Sequence, residues 1–422
     1  MSSESKVLDT SQQSAVDNIS ELTHSTMLLI GAGGSGKTFT IQHLLTQLWN
    51  DGRNSIRNNN TFLTAPTGKA AKVINDAFEK DNFDCFNEAK TIHRLLKFNP
   101  TLGWGLGVDE NLDASLVIVD EASMVDSVLL SKIILALPAS CFLILVGDDN
   151  QLPPVAPGQP FTDLINYGPV DMVNRLTTNH RQAQGSLIAN ACLSVLDGEY
   201  PVFGKPGENT LGGTISDDLF LNEQDDKEII PDVVVEICHA WHENKLDYAI
   251  LSPQKTGVCG VESLNKYLQE RLNPEHPDKE QVKVAWLMFR EGDKVLQTKN
   301  NYQLGVFNGF TGFIVKIHEE QITVDFDGQI VLYQDSSEIK QLTLGYCMTI
   351  HKSQGSQFQY GVLVCHSSHY YMWSRSILYT GVSRYRQELH VVGDRKAIKR
   401  GLSNVVSGER NTHMKLQLVL ET

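Results

Sequence analysis

Apolar residues alternate between short unbroken runs and helical stripes along the first third of the chain. Thr26-Met-Leu-Leu-Ile30 has the composition of a strand buried on both faces. After a glycine-rich turn, Ile41, Leu44, Leu45 and Leu48 recur at the spacing of one helix face. Thr61-Phe-Leu-Thr-Ala65 predicts the next strand, and Ala70, Val73, Ile74 and Ala77 the buried stripe of the helix after it. Leu116-Val-Ile-Val119 and Phe142-Leu-Ile-Leu-Val146 predict two more buried strands. Repeated β-α-β units of this kind give a parallel sheet with helices on both faces. The rhythm returns later, with strands at Tyr248-Ala-Ile-Leu251, Val362-Leu-Val364 and His390-Val-Val392. Helices are predicted over Val261 to Leu272 and around Ser376 to Tyr385. The fold class is therefore α/β, with two parallel-sheet domains.

Two stretches break the rhythm. Lys97 to Asp113 is rich in glycine and turn residues around Trp104, which suits a small hairpin. Asn301 to Gln341 carries Gly312-Phe-Ile-Val-Lys316, Ile322-Thr-Val-Asp-Phe326 and Ile330-Val-Leu-Tyr333, with turn residues such as Asp327-Gly328 between them. That is the pattern of a small antiparallel barrel. The acidic stretch Gly204 to Asp226 reads as a surface loop or linker. These features divide the chain into residues 1–175 with an insertion at 97–113, residues 176–300 together with 342–422, and a barrel at 301–341.

Composition narrows the reading in three places. Hydrophobic residues make up 41% and charged residues 20% of the 422, enough apolar mass for two or three packed cores and against extended disorder. Lysine plus arginine total 36 against 50 acidic residues, a formal net charge of -14. This excludes a protein that coats duplex DNA by bulk positive charge, while leaving room for a local basic groove. The seven cysteines are dispersed with no Cys-x-x-Cys, against a disulfide framework or a four-cysteine zinc site. The first residues lack the apolar core of a signal peptide, and the longest apolar stretch, Ile133 to Val146, is too short to span a bilayer. A soluble cytoplasmic protein with no membrane association is expected.

The chemistry begins at Gly31-Ala32-Gly33-Gly34-Ser35-Gly36-Lys37-Thr38, which fits G-x-x-x-x-G-K-[ST] between a predicted strand and a predicted helix. Glycines let backbone N–H groups turn toward phosphate oxygens, and the helix N-terminus adds partial positive charge. Lys37 would reach the β- and γ-phosphates of ATP, and Thr38 would ligate Mg²⁺. Asp120 and Glu121 end the buried run Val117-Ile-Val119. Asp120 is placed to hold Mg²⁺, directly or through water, and Glu121 to orient and deprotonate an attacking water. Gly147-Asp-Asp-Asn-Gln151-Leu-Pro-Pro154 closes the next strand. Alone it is an ordinary turn; after the other two segments, Gln151 becomes a γ-phosphate sensor.

A phosphate loop and a tandem acid still admit kinases, recombinases and transporters. The full ordered set is narrower. Leu8-x-x-x-Gln12-x-x-Ala15 precedes the phosphate loop; Ala65-Pro-Thr-Gly-Lys-Ala-Ala71 and Thr91-Ile-His-Arg-Leu-Leu96 follow it. Asp120-Glu-Ala-Ser-Met-Val-Asp126, Gly147-Asp-x-x-Gln-Leu-Pro153, Asn179-His-Arg181-Gln182 and Leu251-Ser-Pro253 come next. Thr349-Ile-His-Lys-Ser-Gln-Gly355 and Leu378-Tyr-Thr-Gly-Val-Ser-Arg384 complete the set. From about Leu8 to Gly393 the chain resembles the superfamily-one DNA helicases, most closely the RecD-like branch, with phage Dda-type helicases as near relatives.

The resemblance implies two RecA-like P-loop domains, an inserted module similar to a Src-homology-three barrel, and a strand-separating pin at Lys97–Asp113, with Trp104 or its neighbours at the fork. It makes Gln12 an adenine reader and Arg181 and Arg384 the arginines that face the γ-phosphate. Pro66, Thr67, Thr91, His93, Thr349, His351 and Ser353 would line a groove for single-stranded DNA, gripping phosphates without reading sequence. The implied activity is ATP-dependent, Mg²⁺-requiring translocation, 5′ to 3′, with unwinding of fork DNA in replication, repair or recombination beside unidentified protein partners. An ATP-driven translocase or recombination accessory without unwinding is the alternative, and a P-loop small-molecule kinase is a further one. Asn150, Pro154, Gly381 and Ser383 depart mildly from the usual pattern. No nuclease-like acidic cluster and no long N-terminal domain are seen, which suits a minimal motor.

Three segments are decoys for other chemistry. Cys238-His239-x-x-His242 lies on a helical pattern whose buried stripe is Ile230, Val233, Val234, Ile237 and Trp241, so both histidines should point outward. Cys365-His366-x-x-His369 follows a strand, with a core cysteine. Neither supplies four convergent zinc ligands. Tyr370, Tyr371 and Trp373 have the rings to stack bases, but packing within the protein is the expectation.

Overall fold

In the computed structural model, which describes residues 7–50, 56, 60–80, 87–180, 185–204 and 218–405, the chain forms two compact units that divide between residues 183 and 184. The first unit holds β1 (Thr26–Gly31), β2 (Thr61–Ala65), β3 (Asn87–Thr91), β4 (Leu116–Val119), β5 (Phe142–Gly147) and β6 (Val173–Leu176). They form one sheet in the order β3-β2-β4-β5-β1-β6, with every pairing parallel. Its helices are α1 (Thr10–Glu21), α2 (Lys37–Asn50), α3 (Gly68–Lys80), α4 (Ile92–Leu95), α5 (Ser127–Ala136) and α6 (Pro160–Tyr167). Strands buried on both faces must be apolar throughout, and Leu116 to Val119 is buried at every position. The α2 stripe is buried as its spacing requires. In α3 the stripe is rotated: Phe78 and Ala71 are buried, whereas Val73 is exposed. β6 pairs with β1, so the first sheet closes just beyond the expected boundary at residue 175.

The second unit is built around α7 (Leu187–Asp197), β7 (Leu219–Glu223), α8 (Ile230–Glu243), β8 (Tyr248–Ser252) and α9 (Val261–Leu272). After them come the hairpin β9 (Gln281–Val284) and β10 (Leu287–Arg290), then β11 (Lys294–Gln297), β12 (Thr311–His318), β13 (Gln321–Phe326) and β14 (Gln329–Tyr333). The chain continues through α10 (Ser336–Ile339), β15 (Leu342–Leu344), β16 (Cys347–Thr349), β17 (Phe358–Cys365), α11 (Arg375–Val382), β18 (Tyr385–Gly393) and α12 (Arg395–Ser403). A second parallel sheet has the order β16-β8-β17-β18-β7. The expected loop at Gly204–Asp226 therefore contains an edge strand, β7, which pairs with β18. The apolar run Leu219-Phe-Leu is short and lies among acidic neighbours, which masks the strand in the sequence; residues 205–217 lie outside the described residues.

The antiparallel insertion has the order β14-β13-β12-β11-β15 and spans Lys294 to Leu344, wider than residues 301–341. Asp327 and Gly328 both have positive φ, 53° and 89°, the geometry of a two-residue hairpin turn whose twist matches the strands it joins. One apolar cluster runs from this barrel into the parallel sheet, through Val295, Phe313, Tyr346 and Tyr248.

The outward placement of His242 is corrected. His239 is exposed beside Glu243, but His242 is buried, 5.6 Å from the Phe313 ring and 5.4 Å from the Tyr346 ring. Its Nδ1 lies 3.2 Å from the Tyr248 hydroxyl. Helical periodicity gives one buried stripe; the barrel covers a second side of α8, which periodicity does not reveal. Trp373 is fully buried, whereas Tyr371 is exposed. Among the described residues the six cysteines present are free and buried, no group of metal-ligating side chains gathers, and no helix is long and apolar enough to cross a membrane.

Candidate nucleotide and nucleic-acid site

In a parallel sheet, the residues that follow each strand emerge along one edge. The phosphate loop follows β1, Asp120 and Glu121 follow β4, and Gln151 follows β5; β5 lies between the other two strands and pairs with both. The topology thus brings together three segments distant in sequence. Pro66 and Thr67 follow β2 and Thr91 ends β3, on the same edge.

Gly34 and Gly36 have φ of 92° and 81°, the left-handed backbone that glycine adopts without strain. The resulting loop turns into the N-terminus of α2. Lys37 Nζ donates to the Gly31 carbonyl at 2.6 Å and to the Ala32 carbonyl at 3.2 Å. Thr38 is half-buried in the first turn of α2. Asp120 is pushed up to about 6 by burial and by the adjacent Glu121 charge, while Lys37 and the Glu121 N–H pull the other way. That N–H donates to Asp120 Oδ1 at 2.8 Å. Glu121 has φ 52°, an uncommon conformation for a non-glycine residue and one that clusters at functional sites. Gln151 is buried, and its Nε2 donates to Asp148 Oδ2 at 3.2 Å.

The residues present fit a nucleoside triphosphate with a divalent cation. The Ser35 hydroxyl and Gln151 Oε1 are buried without a hydrogen-bond partner among the described residues. Buried polar atoms without partners are costly in a folded protein, so each points to a ligand it serves. Thr38 and Asp120 would supply oxygen donors to Mg²⁺, which takes few protein ligands when phosphates complete its shell.

Gln12 sits against this loop. Its Oε1 accepts the Asp9 N–H at 3.0 Å, and Asp9 in turn caps α1 by accepting from the Ser11 and Gln12 N–H groups. Its Nε2 donates to the Ser35 carbonyl at 3.0 Å and lies 3.0 Å from His180 Nε2. His180 Nε2 is also 3.0 Å from Asp9 Oδ2, and the His180 N–H donates to the Gly34 carbonyl at 3.3 Å. Asp9 and His180 carried no assignment from sequence. The Asp-x-x-Gln spacing of a capping box is the local signal for Asp9; His180 lies within the Asn179–Gln182 motif, whose spacing gives the histidine no role. Arg181 lies outside the described residues.

The proposed strand contacts separate into two kinds. Thr67 Oγ1 accepts the Ala70 N–H at 3.2 Å and Thr91 Oγ1 accepts the Arg94 N–H at 3.2 Å, so both hydroxyls cap helices. Thr91 is buried, while Pro66, Thr67 and His93 are half-buried. His93 is held below the usual histidine range by burial, with Asp126 opposing. It stacks on Trp104, ring centroids 5.2 Å apart, and Phe98 flanks the same indole at 4.7 Å. Trp104 therefore packs on its own unit; the most exposed apolar residue of the 97–113 insertion is Leu102.

In the second unit, Thr349 ends β16 and its Oγ1 accepts the Lys352 N–H at 3.2 Å. His351 is half-buried, and burial lowers its pKa. Ser353 is fully buried, its hydroxyl donating to the Ile350 carbonyl at 2.8 Å, so it turns inward from any groove. Arg384 is buried too. Its guanidinium donates to the Thr380 carbonyl at 3.1 Å, the Ser356 carbonyl at 3.2 Å and the Ser383 hydroxyl at 3.0 Å.

Comparison with known proteins shows what the chain is similar to. Residues 12–157 match an AAA domain model, residues 344–392 a UvrD-like helicase C-terminal domain, and residues 264–326 the SH3 domain of ATP-dependent RecD-like DNA helicases. The ATP-dependent RecD2 DNA helicase of Deinococcus radiodurans is 32% identical over 397 residues, 93% of this chain and 50% of that protein. The chain is similar to the RecD-like branch of the superfamily-one helicases. The RecBCD enzyme subunit RecD of Mycobacterium tuberculosis is another RecD-like relative, 27% identical over 94% of this chain and 71% of its own length. The RecD-like chain thus spans half the length of the first of these relatives.

Among solved structures, Pif1 helicase from Bacteroides in complex with ADP-AlF3 and ssDNA superposes with a TM-score of 0.58 at 20% identity, over 94% of each chain. Pif1 helicase from Candida albicans gives 0.54 at 16% identity over 99% of each chain. Both show that the RecD-like chain shares their fold.

Proposed function

We propose that this RecD-like chain is an ATP-dependent DNA helicase that moves along single-stranded DNA and unwinds forks in replication, repair or recombination. The observation that carries the reading is the convergence of Lys37, Asp120, Glu121 and Gln151 on one sheet edge that also carries Pro66, Thr67 and His93. Coupling of hydrolysis to strand grip needs the two sites to share rigid elements, and β2 and β4 are hydrogen-bonded neighbours.

The phosphate-loop amides and Lys37 bind and orient the β- and γ-phosphates. Thr38 and Asp120 would hold Mg²⁺, which neutralises charge on the phosphates when bound. Glu121 orients a water and accepts its proton; the partnerless Gln151 Oε1 accepts the other hydrogen of that water. Arg181 and Arg384 are assigned to transition-state charge by their motif positions. Thr349 and His351 are the second unit's contacts to the strand. The 5′ to 3′ direction follows from the resemblance.

ATP hydrolysis measured with and without single-stranded DNA tests the motor, with strong stimulation expected. Hydrolysis indifferent to DNA would overturn it. Forked duplexes carrying a 5′ or a 3′ tail then test unwinding and direction. Stimulated hydrolysis without strand separation on either fork would leave a translocase.

A further inference from the structure

The hairpin of β9 and β10 turns through Ala285 and Trp286, with Ala285 at φ 56°. The turn holds Trp286 out at 79% exposure. An indole in water forgoes a large apolar burial, so its display at a hairpin tip needs a reason. Beside it lies a groove of about 870 Å³ within the second unit, the size of a ligand site. Its floor is apolar, with Leu287, Ile339, Leu344 and Met348. Its rim carries Lys255, Lys266, Arg290, Lys340 and Lys352, against only Glu262 and Glu270.

That charge balance is the reverse of the chain's net -14. Among the described residues, none of the four lysines has an ion-pair partner. Burial, and next the nearby Lys255 charge, hold Lys352 below the usual lysine range. Arg290 donates one N–H to the Asn273 carbonyl at 3.0 Å, and its Nε is buried without a partner. Uncompensated cations around an apolar floor call for a polyanion with flat apolar faces. The groove is also continuous with Thr349, the strand contact assigned to this unit.

We infer that this groove is a further subsite for single-stranded DNA, in which Trp286 stacks on a base while the lysine rim holds the adjoining phosphates. The subsite rests on the DNA reading above and extends the strand's path from Thr349 onto the β9–β10 hairpin. Stacking on an exposed aromatic is indifferent to base identity, as a moving motor requires. The strand is favoured over an acidic peptide because its bases match the indole and its phosphates match the lysines at once.

The test is the anisotropy of fluorescein-labelled oligothymidylates of increasing length with the full chain, using wild type, Trp286→Ala and Trp286→Phe. Trp286→Ala should weaken binding of the longer oligonucleotides by about tenfold, the order expected for one lost stacked base, and leave the shortest unchanged. Trp286→Phe should recover most of that loss. Lys266→Ala with Lys340→Ala should flatten the salt dependence for long oligonucleotides only. Irradiation of a 5-iododeoxyuridine oligonucleotide should cross-link to the peptide containing Trp286. Equal affinity of Trp286→Ala and wild type at every length, as a peptide groove would give, overturns the subsite while the DNA reading stands. A loss that is the same at every length overturns it too. A wild-type chain that binds no oligonucleotide overturns both.

Discussion

The Gln12 side-chain amide donates to the Ser35 carbonyl at 3.0 Å, tying the first turn of α1 to the phosphate loop. The other end of the same amide completes the capping box with Asp9. One residue therefore fixes both a helix start and the loop that would carry the triphosphate. Gln12→Ala should cost about 1 kcal/mol of stability, the usual size of a lost cap interaction, and raise the KM for ATP. Asp9→Ala should cost a similar stability but raise KM less, because the Ser35 tie remains. Equal KM values in the two variants would sink the link between Gln12 and the nucleotide.

Lys37 reaches the Gly31 carbonyl at 2.6 Å from the first turn of α2. Lys37→Ala should abolish ATP hydrolysis and leave oligonucleotide affinity close to wild type. Steady-state phosphate release and anisotropy measure the two separately. Undiminished turnover would remove the phosphate-loop assignment.

Arg384 donates to three acceptors in its own unit, so removing it takes away three buried hydrogen bonds. Arg384→Ala should lower both the melting temperature and kcat. Arg384→Lys keeps a charge but not the fork of donors; it should recover part of the stability and little of kcat. Recovery of kcat in step with stability would make the residue structural only.

Thr349 and Ser353 share one motif but differ in burial: Thr349 is half-buried and Ser353 fully buried. Thr349→Val should weaken single-strand binding by roughly 1 kcal/mol, the size of a typical hydrogen bond. Ser353→Ala should leave it unchanged, because the Ser353 hydroxyl is bonded to Ile350 inside the unit. A larger binding loss for Ser353→Ala would reverse the assignment.

His242 is pushed down to about 4, chiefly by burial and then by the Lys294 charge. A folded histidine with a depressed pKa stays neutral while the unfolded one takes a proton, so stability is complete above about 6.5 and declines as pH falls toward 4. The full effect is about 3 kcal/mol, since one pKa unit is worth about 1.4. His242→Gln keeps a partner for Tyr248 and does not titrate. Its unfolding free energy should change less between pH 7 and pH 4 than that of wild type. Parallel pH profiles would show that His242 is not the titrating group.

Elements recorded in local spacing were legible: the strands ending in the phosphate loop and in Asp120, the α2 stripe, and the Asp327–Gly328 turn. A strand buried on both faces needs an apolar run, and a phosphate loop needs its glycines and lysine within a few residues, so sequence by itself determined them. The edge strand β7 escaped, because a short strand among acidic residues gains its partner only from β18, far along the chain. Tertiary structure alone decided which side chains remain available. Ser353 turns inward, Trp104 packs on His93, His242 is covered by the barrel, and Trp286 stands beside the lysine-rimmed groove. The physical reason is that exposure depends on what distant segments pack against a residue, which periodicity along one element does not encode.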